Sequence, residues 1–255
     1  MKKRILFATD LDNTLLFSHR HRQPGDRCAE LWNGAEQGFF TPETVDLLPQ
    51  AARQVRLLPI TTRSIAQYQR IRWPEGAVPQ EALTANGAVL LRDGAIDRDW
   101  YDQSWELVRA HQGALRALLE RVSAREDVTS ARIVENMYVY AACSDAAAAE
   151  RCAAAWAQDA PFQMEVSGRK VYWFPPGIDK GTALRRAAGR YRPERILCAG
   201  DSVIDVPMLR RADLAMIPDG TLLPALPAER ALVCQENVRF PDFVLRTVLA
   251  QAGPG

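Results

Sequence analysis

Four unbroken apolar runs, RILFAT (4–9), VRLLPIT (55–61), RILCAG (195–200) and LAMIP (214–218), constrain this chain more than any other feature. A strand with one solvated face alternates apolar and polar residues. Runs without that alternation belong to strands covered on both faces, as in a parallel sheet flanked by helices. Between them lie amphipathic stretches such as TPETVDLLPQAARQ (41–54), where Thr41 is placed to cap a helix and Pro42 to occupy its first turn. The alternation predicts an α/β fold built on a parallel sheet.

The middle of the chain has another rhythm. Residues 104–122 read as one helix, ARIVENMYVYAAC (131–143) as strand, DAAAAERCAAAWAQ (145–158) as helix, and QMEVSGRKVYWF (163–174) as a hairpin turning at Ser167-Gly168. This pattern predicts a smaller α+β module over residues 100–175, inserted into an α/β core formed by 1–99 and 176–255. With 47% hydrophobic residues in 255, the chain has enough apolar surface for both units.

Charge excludes several function classes. Lys and Arg number 32 against 31 Asp and Glu, so no overall field draws the chain to nucleic acid or to a membrane. The basic start MKKR resembles that of a signal peptide, but Asp10 and Asp12 interrupt the apolar stretch behind it. No segment approaches the roughly 20 apolar residues of a membrane span. The five cysteines are scattered and form no C-x-x-C pair, which points away from zinc and disulfides and towards a reducing cytoplasm.

The first apolar run ends in FATDLDNTLL (7–16), which delivers Asp10 and Asp12 at the carboxyl end of a strand, where ligands gather in open α/β sheets. The run RILCAGDSVID (195–205) ends alike, with Asp201 and Asp205. If the two strands are neighbours, four carboxylates share one space. Two unit charges about 4 Å apart repel by about 4 kcal/mol at an effective dielectric of 20. Either some of these carboxyls are protonated or a cation sits among them, and an all-oxygen ligand set suits Mg²⁺. Asp205 also stands where it can cap a helix ahead of Val206-Pro207-Met208. Thr61 and Thr62, in PITTRS, offer hydroxyls and N–H groups to an oxyanion. Lys180, in GIDKGTAL, sits in the first turn of a helix capped by Asp179, where a cation does nothing for helix stability but adds to the positive end of the dipole.

Taken in order, DLDNT (10–14), ITT (60–62), Lys180 and GDSVID (200–205) resemble the four motifs of the haloacid dehalogenase (HAD) superfamily of phosphatases. LTANGAVLL (83–91), DKGTAL (179–184) and the inserted module resemble more specifically the Cof-type branch with a class IIB cap, which includes sucrose-phosphate-phosphatase-like enzymes. The resemblance implies a Rossmann-like HAD core with an α+β cap, and a Mg²⁺-dependent phosphatase of a small phosphorylated metabolite, with sugar and polyol phosphates favoured. Asp10 would be the nucleophile and Asp12 the general acid and base. Asp10, Asp201, the carbonyl of Asp12 and Asp205 would hold Mg²⁺, while Thr61, the backbone of Thr62 and Lys180 would hold the phosphoryl group. A phosphomutase of the phosphomannomutase type, or a phosphometabolite-binding protein without turnover, would share this layout.

Two positions depart from the family pattern: Thr62 stands where many relatives have Gly, and Ile204 where Asn is frequent. A long segment, 17–40, follows the first motif. Its run His19-Arg20-His21-Arg22 suggests contact with a second anionic group on the substrate, and Arg20, Arg22, Arg63 and Asn86 are candidates for the substrate side. The cap's MYVY (137–140) and VYWF (171–174) read either as an aromatic platform facing the crevice or as hairpin packing.

Overall fold

The computed structural model describes residues 4–156 and 158–253, so the start MKK and position 157 of the helix expected at 145–158 lie outside it. The core is a five-stranded parallel sheet in the spatial order Ala231–Val233, Leu214–Ile217, Arg195–Ala199, Ile5–Thr9, Arg56–Pro59. All four apolar runs are strands of this sheet. Their side chains alternate between two clusters: Phe7, Leu57, Leu197 and Met216 pack on one face with Val244 and Leu245, and Leu6, Leu58, Cys198 and Ala215 on the other with Leu184 and Met208. Both faces are therefore covered, which is why the runs carry no polar alternation. The edge strand Ala231–Val233, which the sequence reading missed, has only three residues and none of them is buried.

From Ile5–Thr9 the chain moves first to Arg56–Pro59 on one side and later to Arg195–Ala199 on the other. The order of strands thus reverses at the carboxyl end of Ile5–Thr9, where ligands bind in open sheets. The register pairs Thr9 with Ala199, and Asp10 N donates to Ala199 O at 2.9 Å, so the two acidic segments leave the sheet side by side. Beyond Pro59, Ile60 bridges to Leu83, which joins the core sheet to a small antiparallel sheet of Glu81–Thr84, Val89–Arg92 and Ala95–Ile96. Thr41 caps helix Pro42–Gln54 as expected, its hydroxyl accepting from Thr44 N at 2.8 Å.

The inserted α+β unit is a four-stranded antiparallel sheet in the order Gln163–Ser167, Lys170–Phe174, Tyr138–Cys143, Val128–Val134. Helices Gln112–Ser123 and Ala146–Ala154 cover one face, burying Leu115, Leu118, Val122 and Cys152 against Val139, Val171 and Trp173. The other face turns its tyrosines to the core.

Two local expectations need correction. The single helix over 104–122 is two helices, Arg98–Val108 and Gln112–Ser123, joined by a turn at Arg109–His111. The apolar spacing runs on through the break because both halves are amphipathic. The first half buries Trp100 and Val108 in the core, though, and the second buries Leu115 and Leu118 in the inserted sheet, so the axis bends between two cores. The hairpin pairs Ser167 with Lys170, which places its turn at Gly168-Arg169, one residue later than expected, with Gly168 at φ +56°. Residues 17–40 form a three-stranded flap, Phe17–Ser18, Ala35–Phe40 and Arg27–Trp32 in that order.

Gly87, at φ +91°, lies where a Cβ would come within 2.2 Å of Ala183 Cβ, on the helix that begins with Lys180. Gly94 also has positive φ (+80°) but open space around it. Gly87→Ala is expected to lower unfolding free energy by about 2–4 kcal/mol, combining backbone strain with overpacking, and Gly94→Ala by only about 1 kcal/mol. Urea titration of both variants checks this; equal losses would mean that the contact with Ala183 is unimportant.

Candidate active site

Asp10 is the first residue past its strand and is 7% exposed. The chain then curls sharply. Asn13 takes φ +60°, its N–H donates to Leu16 O, and the N–H groups of Thr14, Leu15 and Leu16 all converge on Leu11 O. Residues two apart in an extended chain share a face, and Asp12 stays close enough to Asp10 for its charge to help raise the Asp10 carboxyl.

The second acidic loop is shaped by Gly200. A Cβ there would lie 2.5 Å from Asp205 Cβ, so only glycine lets Asp205 fold back beneath it. Asp205 is fully buried, and its Oδ2 accepts from Asp201 N, Ser202 N and Ser202 Oγ at 3.0–3.1 Å. It therefore braces its own loop and does not cap the helix Val206–Leu209, contrary to that sequence-based possibility. Asp201 is held more loosely, by Asn13 Nδ2 at 3.3 Å and Thr14 Oγ1 at 3.4 Å.

Lys180 opens helix Lys180–Tyr191, with Asp179 capping it by accepting from Thr182 N at 2.8 Å. Gly181 lets this helix end pack directly on Pro207, whose carbonyl oxygen a Cβ would approach to 2.3 Å. Lys180 is thereby driven inward to 1% exposure, and Nζ donates to Asp10 Oδ1 at 2.5 Å and to Asp205 Oδ1 at 2.6 Å. Burial lowers the affinity of the ammonium for its proton, but Asp10 and Asp205 outweigh it and hold Lys180 above its ordinary range. Asp10 is pushed well up, first by burial and then by Asp205, Asp201 and Asp12, against the pull of Lys180. Burial and Asp205 raise Asp201 to about 7.

Asp10, Asp201 and Asp205 each offer a carboxylate oxygen within 4.8 Å of the others. With Asp12 they carry four formal negative charges against the two positive charges of Lys180 and Arg63, a deficit that one divalent cation balances. The all-oxygen donor set fits such a hard cation.

The remaining candidates divide. Thr61 is fully buried, but its N–H donates to Leu83 O, so only its hydroxyl is left to offer an oxyanion. Thr62 lines the cavity in front of Asp12, and its carbonyl accepts from Tyr138 Oη at 2.6 Å. Asn86 does not reach the cavity. At 1% exposure it bonds Ile178 O through Nδ2 and Thr61 O through its N–H, bracing the segment before Lys180 against the threonine loop. Arg63 grips Asp12 with two hydrogen bonds, at 2.8 and 3.0 Å, and Glu30 of the flap at 2.8 Å. Burial pushes the Asp12 carboxyl up, but the charge and hydrogen bonds of Arg63 prevail and hold it well below the usual range. Arg20 lines the cavity, whereas Arg22 pairs with Glu36 at 2.8 Å over the Phe39 ring and is absent from the wall. Ile204, in the place of a frequent Asn, is buried apolar packing.

The cavity, about 810 Å³, lies between the core, the flap and the tyrosine face of the inserted sheet. MYVY and VYWF satisfy both of their readings at once: Tyr138, Tyr140 and Tyr172 face the cavity, while Val139, Val171 and Trp173 pack behind. Sequence reasoning did not single out Glu30 or Lys170 for this site. For Lys170 the signal existed, since it shares the alternation of Tyr172. Glu30 left none, because only the folded flap brings it to Arg63.

No family model and no curated protein matches the sequence. Among solved structures, the chain is similar to a trehalose-6-phosphate phosphatase related protein (TM-score 0.59, 16% identity, 97% of this chain and 96% of that one). It is also similar to the sucrose-phosphatase from Synechocystis, solved with sucrose and phosphate (TM-score 0.60, 16% identity, 99% and 98%). A third is a phosphatase of the HAD superfamily from Bacteroides thetaiotaomicron (TM-score 0.56, 14% identity, 95% and 94%). The likeness runs from end to end and is one of fold: a parallel α/β core carrying an inserted α+β cap.

The raised Asp201 predicts a pH dependence. Without metal, the folded protein keeps a proton on this carboxyl up to about pH 7, whereas the unfolded chain releases it near the ordinary carboxylate value of about 4. Stability attributable to this group is full below about pH 4 and is lost as pH rises through about 7. Thermal melts of metal-free protein should therefore fall between about pH 5 and 8, and a millimolar divalent cation should raise the midpoint more at pH 8 than at pH 5, because binding must displace that proton. A cation effect independent of pH would contradict this.

Proposed function

We propose that this protein is a Mg²⁺-dependent phosphatase that hydrolyses a phosphomonoester of a small metabolite, with sugar and polyol phosphates the favoured class, through a phosphoaspartyl intermediate on Asp10. One observation carries the reading: Lys180 bridges Asp10 and Asp205 at the sheet's switch point, and Asp12, two residues past Asp10, lines the cavity. The shared fold with phosphatases supports it, as does a cavity of the size that takes small metabolites. Among the described residues no helix is long and apolar enough to cross a membrane, and we place the activity in the cytoplasm, where such metabolites reside.

In this mechanism a carboxylate oxygen of Asp10 attacks phosphorus, the P–O bond to the metabolite breaks, and the proton of Asp12 passes to the departing oxygen. Water then attacks the phosphoaspartate, Asp12 takes the proton from that water, and inorganic phosphate leaves. Lys180 fixes the Asp10 rotamer and, with Thr61 and the Thr62 backbone, offsets charge on the phosphoryl oxygens. Asp10, Asp201, the Asp12 carbonyl and Asp205 would hold Mg²⁺, which would supply further positive charge to those oxygens. Arg63 keeps Asp12 ionised in the free protein. A phosphate monoanion entering beside this pair brings both an anion for the guanidinium and the proton that Asp12 lacks.

Release of inorganic phosphate from sugar phosphates and p-nitrophenyl phosphate, with and without Mg²⁺, tests the reading. Asp10→Asn is expected to abolish release from every ester. Asp12→Asn should cost about 10²–10⁴-fold on alkyl esters and far less in the first step with p-nitrophenyl phosphate, whose leaving group needs no proton. Interconversion of sugar phosphates without phosphate release would indicate a phosphomutase and overturn the reading.

A further inference from the structure

The cavity beside Asp12 is far more positive than the chain around it, whose 32 Lys and Arg nearly equal its 31 Asp and Glu. On its wall, Arg63 and Arg70 are matched by Asp12 and Glu30. Arg20, Arg132, Arg169 and Lys170 line it and form no ion pair among the described residues. Such an unbalanced set, focused between low-dielectric walls, attracts anions.

The cap contributes most of this excess, in an ordered array. Arg132, Tyr140 and Tyr172 are directly opposite one another across three strands, with the Arg132 guanidinium 4.8 Å from the centre of the Tyr140 ring. Lys170 shares this face, two residues before Tyr172, and is only partly exposed. Tyr172 and Asp12 raise the Lys170 ammonium above its ordinary range, against burial, which places Lys170 within electrostatic reach of the proposed general acid. Glu165, opposite Tyr172 on the outer side, is engaged by Gln163 Nε2 at 2.9 Å and is absent from the cavity wall.

In the phosphatase reading the transferring phosphate already has its own receptors in Lys180, Thr61 and the cation that the acidic cluster would hold. The cap cations share the cavity wall with Asp12, the residue proposed to protonate the departing oxygen, whereas Lys180, Thr61 and Asp10 are not on that wall. We propose that the leaving group itself is anionic: a carboxylate or second phosphate on it is bound by Lys170 and Arg132, and the tyrosine face packs on its carbon skeleton. This deepens the phosphatase reading and rests on it. It adds the cap sheet to the second-anion site expected on the flap run 19–22, of which His19, Arg20 and His21 line the same cavity and Arg22 turns away.

Affinity measured by calorimetry on Asp10→Asn with Mg²⁺ tests the site without turnover. The probes are two matched pairs, 3-phosphoglycerate against glycerol 3-phosphate and fructose 1,6-bisphosphate against fructose 6-phosphate. One or two charge-assisted hydrogen bonds are worth about ten- to a hundredfold in affinity, so at least one doubly anionic member should bind about tenfold tighter or better than its partner. The pair that shows it identifies carboxylate or phosphate as the second anion. Adding Lys170→Ala or Arg132→Ala should bring that ratio down towards one, and a ratio is unaffected by partial loss of folded protein. Equal affinities within both pairs, or a preference that survives both substitutions, would overturn the proposal. Failure of the phosphatase reading appears separately, as absent Mg²⁺-dependent phosphate release by the unsubstituted protein from every ester, p-nitrophenyl phosphate included.

Discussion

The arrangement of this protein depends on one ammonium group. Lys180, almost wholly removed from solvent, is shared between Asp10 and Asp205, and so ties the first strand, the third apolar run's loop and the start of a helix that follows the cap. Burying three charges together is costly, and such a triad persists only when each member is satisfied; removing one partner from a buried pair typically costs about 3–5 kcal/mol. The surrounding structure provides that satisfaction. Three donors from loop 201–202 hold the far oxygen of Asp205, and glycines 181 and 200 remove the side chains that would keep helix and loop apart. The triad organises space, and the acidic groups left over define where a cation fits.

The flap adds a second chain of charge that runs outward: Asp12 to Arg63, Arg63 to Glu30, Glu30 to Arg70, with Arg70 lying over the Trp32 ring at 4.4 Å. Glu30 is buried and stands between two guanidinium groups, so the position of Arg63, and with it the protonation of Asp12, is set partly by the flap. Thr62 in place of a glycine is accommodated in the same region: its side chain borders the cavity and its carbonyl is fixed by Tyr138.

How much of this could be read in the sequence follows from how local each signal is. The core strands were visible because burial on both faces leaves an unbroken apolar run, and Asp10 and Asp201 because each directly follows such a run. Lys180 stood out because a cation is misplaced at a helix N-terminus. The bend at Arg109–His111 was hidden, since the helical period runs through it and only the assignment of its halves to different cores reveals it. Asn86 was misplaced because a short polar residue at a loop can face either way, and the partner that decides, Ile178 O, is distant in sequence. The pairing of Arg63 with Glu30 depends on flap geometry that no local pattern encodes.

The two crossings that attach the inserted sheet are unlike. The chain enters through the turn at Arg109–His111, behind a helix anchored to the core by Trp100, whose indole N–H donates to Gly87 O and whose ring lies 3.8 Å from the Arg186 guanidinium. It leaves through Pro175-Pro176-Gly177, where two successive pyrrolidine rings fix φ and Gly177 alone takes a positive value, +83°. A rigid displacement of the sheet has few torsions available on the exit side, so the entry turn and a single glycine must absorb it. Any swing of the sheet would therefore be borne unequally by its two attachments, the exit being the stiffer.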